Sequence, residues 1–142
     1  MKVIFLDFDG VMITGNVIGQ GKFDSECVRN LQEILKQTNA KIVVSSTYRQ
    51  MGLTMLRDLF TRNGIPSDVL IGVTPITRGP RGEEIQQYLE EAELDPATQI
   101  EKFVIIDDYD NMGKVRPYLV QTNRDTGLDE TARDRAIEML SS

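Results

Sequence analysis

Apolar residues in this chain fall into short unbroken blocks, separated by stretches with helical spacing. The blocks are Val3-Ile4-Phe5-Leu6, Lys41-Ile42-Val43-Val44, Val69-Leu70-Ile71-Gly72-Val73, Phe103-Val104-Ile105-Ile106 and Tyr118-Leu119-Val120. None shows the apolar–polar alternation of a half-exposed strand, so each reads as a strand buried on both faces. After a cap at Asp24 or Ser25, Val28, Leu31, Ile34 and Leu35 predict a helix to about Gln37, ended by Asn39. Leu53, Leu56, Leu59 and Phe60 predict a second helix, stopped by Asn63-Gly64-Ile65-Pro66. Ile85, Leu89 and Ala92 predict a third from about Glu83 to Glu93, and Ala132, Ala136, Ile137 and Leu140 a last one from near Asp129. Met12 to Phe23 reads as a loop or small hairpin, and Thr74 to Gly82 as a loop. Strand and helix alternate throughout. That pattern predicts a three-layer α/β/α, Rossmann-like fold with a parallel five-stranded sheet, in a single domain over residues 1–142.

The polar residues gather where the apolar blocks end. The first block runs into Asp7-Phe8-Asp9-Gly10, and the spacing of the acids points both carboxylates to one side of an extended chain. Gly10 allows a sharp turn there. The second block ends in Ser45 and Ser46, and the fourth in Asp107 and Asp108. Arg78 and Arg81 lie in the loop before the third helix. In a parallel sheet these ends share one edge, where open α/β sheets bind ligands. Clustered acids suit a hard divalent metal, while a hydroxyl and a cation suit a phosphoryl group.

Composition narrows the chemistry further. The chain of 142 residues has no histidine, which excludes a histidine base and histidine-ligated zinc. A metal must then be held by oxygen, as magnesium, calcium or manganese are. The single Cys27 excludes an internal disulfide and fits a reducing cytosol. The N-terminus enters a strand at once, predicting no signal peptide, and no apolar run reaches membrane-spanning length. A cytoplasmic protein is expected. The net charge of -6 argues against broad nucleic-acid binding by bulk field, though not against a local basic rim.

These motifs together resemble the haloacid dehalogenase (HAD) superfamily of phosphohydrolases, and more narrowly the HAD domains of Swiss Army Knife RNA-repair proteins. Phe5-Leu6-Asp7-Phe8-Asp9-Gly10-Val11 resembles the first superfamily motif, Ile42-Val43-Val44-Ser45 the second, and Val104-Ile105-Ile106-Asp107-Asp108 the fourth. Ser45-Ser46-Thr47-Tyr48-Arg49 is similar to a Ser-Ser-x-x-Arg form of the narrower family. So is Val120-Gln121-Thr122-Asn123 leading to Gly127-Leu128. The third motif departs from the pattern, since the chain has no lysine between Lys41 and Lys102. Arg81 is the first choice for that place and Arg78 the second.

The resemblance implies a magnesium-dependent phosphatase with an aspartyl-phosphate intermediate. Asp7 is then the nucleophile, and Asp9 the acid and later the base. Asp7, Asp9 through its backbone carbonyl, and Asp108 are the expected metal ligands, with Asp107 close by. Ser45 or Ser46 and Arg81 are the expected phosphate ligands, and Arg49 is either a contact to substrate phosphate or an exposed arginine at a helix start. Asp110 is expected to serve a turn or helix cap. Neither loop is long enough for a cap domain, so the site should be open. An open site suits a phosphate at the end of a large molecule, such as a nucleic-acid end. A small phosphomonoester and a non-catalytic phosphate- or partner-binding relative are the alternatives. A receiver-type phosphoacceptor is excluded by motif order, because its paired acids close the first strand and a lone acceptor closes the third. A dinucleotide-binding domain is excluded by the lack of Gly-x-Gly-x-x-Gly after the first strand.

Overall fold

The computed structural model of the chain describes residues 1–141. Its strands are β1 (Lys2–Leu6), β2 (Lys41–Val44), β3 (Leu70–Val73), β4 (Lys102–Asp107) and β5 (Leu119–Gln121). Its α-helices are α1 (Ser25–Thr38), α2 (Leu53–Arg62), α3 (Arg81–Glu93) and α4 (Glu130–Ser141). All strand pairs are parallel, in the order β3-β2-β1-β4-β5. The expected α/β fold is therefore present. Among the described residues no folded domain is inserted in either long loop, and no helix is long and apolar enough to cross a membrane.

The unbroken apolar blocks are explained by burial on two sides. Ile4 and Leu6 of β1 face one core with Leu31 and Ile34 of α1, Phe60 of α2 and Ala136 of α4. Val3 and Phe5 face a second, smaller core with Ile85 of α3, Met112 and Val115. Val3 to Leu6 thus have apolar neighbours on whichever side they point.

Local chemistry sets the element ends. Of the two proposed caps of α1, Asp24 serves: its carboxylate accepts the Glu26 N–H (2.9 Å) and the Thr14 hydroxyl (2.7 Å). Asn39 ends α1 in the left-handed region. Helix α3 starts two residues earlier than the apolar spacing suggests. Pro80 precedes it, and its ring favours the entry to a helix while Arg81 opens the first turn. Short 3-10 turns at Thr47–Met51 and Gly113–Tyr118 carry no periodic signal and were not expected.

The site is positioned by the order of the strands. From β1 the chain winds outward through β2 to β3, then crosses back to put β4 on the other side of β1. The carboxyl ends of β1 and β4 therefore flank the switch point. Leu6 pairs with Ile106, and the Asp7 N–H donates to the Ile106 carbonyl (3.1 Å). This pairing brings the first and fourth motifs side by side.

Candidate functional site

Asp7, Asp107 and Asp108 meet at this edge, each offering a carboxylate oxygen within 4.8 Å of the others. Asp7 is 4% exposed and Asp107 fully buried. One Asp108 oxygen, Oδ1, is buried without a hydrogen-bond partner. The turn that allows this approach depends on Gly10, which has φ +78°; a Cβ there would strike the Asp108 carboxylate. The buried Thr122 hydroxyl holds the same turn by donating to the Gly10 carbonyl (2.7 Å). That contact gives physical content to the motif around Thr122.

Arg81 sits among the acids from the first turn of α3. Its Nη1 donates to Asp107 Oδ2 (2.7 Å) and lies 3.2 Å from Asp7 Oδ1. Asp7 and Asp107 thus share one guanidinium, while Asp108 Oδ2 lies 3.9 Å from the exposed Arg124. Burial pushes the Asp7 carboxyl up to about 8, with repulsion from Asp107 adding to it and Arg81 opposing. Burial also raises Asp107, against the pull of Arg81. For Arg81 burial disfavours the charge, but Asp7 and Asp107 outweigh it and hold the guanidinium protonated. The donor set is all hard oxygen, carries surplus negative charge and has an orphaned buried oxygen. It fits a divalent cation.

The two serines divide. Ser46 caps the 3-10 turn, its hydroxyl accepting the Tyr48 N–H (3.1 Å). Ser45 is fully buried and its hydroxyl has no partner. The Thr74 hydroxyl at the end of β3 is likewise buried and unpartnered. Asp9 differs from Asp7: its side chain is exposed and lies outside the acid trio. The Tyr48 phenol lies beside Asp9; burial and that neighbouring carboxylate raise it.

Residues 3–132 match the HAD domain in Swiss Army Knife RNA repair proteins. The chain belongs to this family. Comparison with curated proteins and with solved structures returns no match. The first and fourth motifs form the acid trio, and of the two candidate arginines Arg81 is the one that reaches it. Arg78 does not; it is exposed, with φ +64°.

Arg49 requires a correction. It is not an exposed arginine at a helix start: it is buried beside the Arg81 cleft, with its terminal nitrogens committed within the fold and its Nε unpartnered. Its Nη2 donates to both Glu84 oxygens (2.8 and 2.9 Å), and its Nη1 to the Ser45 and Ser46 carbonyls (3.0 and 3.2 Å). Glu84 also accepts the Thr77 N–H (2.8 Å). The pair therefore ties the end of β2, the loop before α3 and α3 itself together beside Arg81. Asp110 lies outside the acid trio, exposed and 3.7 Å from Arg116.

Sequence reasoning missed Glu84, Thr74 and Tyr48. Glu84 had a faint signal: it stands beside Ile85 on the inward side of α3, where an unpaired acid would be costly. Tyr48 lies within the Ser-Ser-x-x-Arg motif, yet nothing in the sequence ties it to Asp9.

Proposed function

We propose that the protein is a magnesium-dependent phosphatase that works through an aspartyl-phosphate on Asp7, with a phosphorylated nucleic-acid end as substrate. The observation that carries this reading is the buried, charge-surplus trio of Asp7, Asp107 and Asp108, with its orphaned oxygen, beside Arg81. The unpartnered Ser45 hydroxyl in the same motif set supports it. The three carboxylates and the Asp9 backbone carbonyl would hold magnesium. When bound, the cation favours ionised Asp7 and offsets its repulsion from an anionic phosphate.

Asp7 attacks phosphorus, and the bond from phosphorus to the leaving oxygen breaks. Asp9 gives its proton to that oxygen. It then takes a proton from water, whose oxygen attacks the aspartyl-phosphate. The bond from phosphorus to Asp7 breaks, and inorganic phosphate leaves. The exposure of Asp9 suits this work, since it must meet both the leaving group and water. Ser45 donates to a phosphoryl oxygen, and Arg81 offsets phosphoryl charge. Ser45 is preferred to Ser46 because the Ser46 hydroxyl already accepts the Tyr48 N–H, whereas that of Ser45 has no partner. The reducing environment suggested by the lone Cys27 suits a cytosolic setting.

A nucleic-acid end is favoured by the family to which the chain belongs and by the lack of an inserted cap among the described residues. The test is a phosphate-release panel with magnesium, covering 3′- and 5′-phosphorylated oligonucleotides, their mononucleotides and small sugar phosphates. Higher kcat/KM for an end-phosphorylated oligonucleotide than for its mononucleotide is expected. Equal turnover of the mononucleotide points to a small-molecule phosphomonoesterase. No turnover of any ester points to a non-catalytic phosphate binder.

A further inference from the structure

Two clefts flank the acid edge. One, of about 360 Å³, lies on the Arg81 side and is lined by Ile76, Arg78 and Tyr109 among others. The other, of about 400 Å³, borders Asp9. Apolar side chains dominate its wall, among them Val17, Phe23 and Met51. Tyr48 joins that wall beside Asp9, with its ring 5.5 Å from the buried Phe8 ring. Ile18, 74% exposed, stands at the opening next to Gly19, in a loop that also carries Gly21. Lys22 and Arg62 complete the lining, and Arg62 is shared with Asp58 at 3.1 Å.

Whatever receives a proton from Asp9 must lie next to Asp9, so this cleft is where the leaving group extends. Its size is within the range that holds a small ligand. Its wall has few groups to satisfy the hydroxyls of a sugar chain, but offers an aromatic ring and an exposed aliphatic side chain. Such a wall suits a flat apolar ring. Cations in the same lining suit a neighbouring anion. A flat ring joined to a sugar and flanked by a phosphate is a nucleotide unit. We infer that the Asp9 cleft takes the nucleoside bearing the terminal phosphate. Its base lies against Tyr48 and Ile18, and its flanking phosphodiester lies toward Lys22 and Arg62. The inference rests on the phosphatase reading of Asp9.

The test compares the adenosine 3′- and 5′-monophosphates with ribose 5-phosphate, using the full chain with magnesium. Both kcat/KM and Kd are measured, the latter by calorimetry. The base should improve both by about tenfold, the range for a base stacked on an aromatic side chain. Ile18→Ser should shrink that advantage to about threefold or less, through lost apolar contact. Ile76→Ser, in the other cleft, should preserve it. The inference is overturned if ribose phosphate matches the nucleotides in the wild type. It is equally overturned if Ile76→Ser removes the advantage and Ile18→Ser keeps it. Failure of the phosphatase reading looks different: no ester is turned over, and the Kd ratio alone decides whether the cleft takes a nucleoside.

Discussion

Two groups of buried charge share the carboxyl edge of the sheet, and they are built on opposite principles. Around Arg49 the charges balance. The Arg49 Nη2 donates to both oxygens of Glu84, and backbone carbonyls and an N–H take up further donors and acceptors, leaving Arg49 Nε buried without a partner. Around Asp7 they do not. Asp7 and Asp107 share Arg81, Asp108 has only the exposed Arg124 at 3.9 Å, and one Asp108 oxygen has no partner. A balanced buried pair can be held at little net cost and fixes geometry. An unbalanced one lowers its energy by taking up a proton or a cation. The first group therefore has the character of a brace and the second that of a candidate cation site, although both carry an arginine at the same edge.

The brace should break hardest. Arg49→Ala leaves Glu84 buried without its partner and should cost about 3–5 kcal/mol in denaturant unfolding. Glu84→Gln should fall in the same direction. Because the pair holds the Ser45 carbonyl and the start of α3, either change should also lower turnover of every phosphate ester alike. If Arg49→Ala keeps its stability and loses only oligonucleotide turnover, the arginine belongs to the substrate and the contrast collapses.

Gly82 tests whether the two groups move together. Helix α3 carries both Arg81 and Glu84, and a Cβ at Gly82 would strike the Met112 backbone. Gly82→Ala should therefore cost about 1–3 kcal/mol, typical of overpacking, and reduce activity as well. An alanine variant with wild-type stability and full turnover would show that this close approach does not position the site.

The binding group should respond to a ligand instead. Saturating magnesium should raise the Tm, by an amount equivalent to about 2.7 kcal/mol at a hundred times Kd. No shift in a well-folded sample would count against the trio as a metal site. Asp108→Asn should weaken the shift. It should also leave the metal-free protein as stable as the wild type or slightly more so, by relieving repulsion. That small gain contrasts with the large loss expected at Arg49.

Acidity sharpens the same contrast. With chelator present, folded Asp7 keeps its proton up to about 8, whereas the unfolded chain releases it in the ordinary carboxylate range. Between those limits the folded state binds more protons, so stability falls as pH rises. Asp107 is raised too and acts in the same direction. Thermal melts of chelated protein should therefore show a Tm that declines from about pH 5 to about pH 8. Asp7→Asn should flatten the decline, and magnesium should offset it by taking the place of the proton. A chelated Tm that rises over this range would reverse the assigned sign.

Much of this edge was legible because two constraints act locally on the chain. A strand buried on both faces must be apolar throughout, so β1, β2 and β4 stand out. Acids or serines that follow such a strand must lie at its end, so Asp7, Asp9, Ser45, Asp107 and Asp108 were placed before any contact was known. What was not legible depends on which distant group each side chain meets. Arg49 and Arg81 look alike in sequence, each near the start of a helical turn. Only the packing of α3 against the loop after β2 sends one to Glu84 and the other to Asp7. Ser45 and Ser46 likewise differ by a single residue of strand end, and the Tyr48 N–H takes Ser46. The early start of α3 was hidden because its first turn carries Arg81 and Gly82 rather than an apolar stripe.

The central claim, that the unbalanced acids form a phosphoryl-transfer site with Asp7 as nucleophile, is tested most directly by acid quench during turnover and peptide mass spectrometry. With magnesium and a phosphate ester, the account predicts an added phosphoryl group on Asp7. It should be absent with chelator and in Asp7→Asn, which should also lose turnover. Full turnover by Asp7→Asn, or a phosphoryl group trapped on another residue, would contradict it.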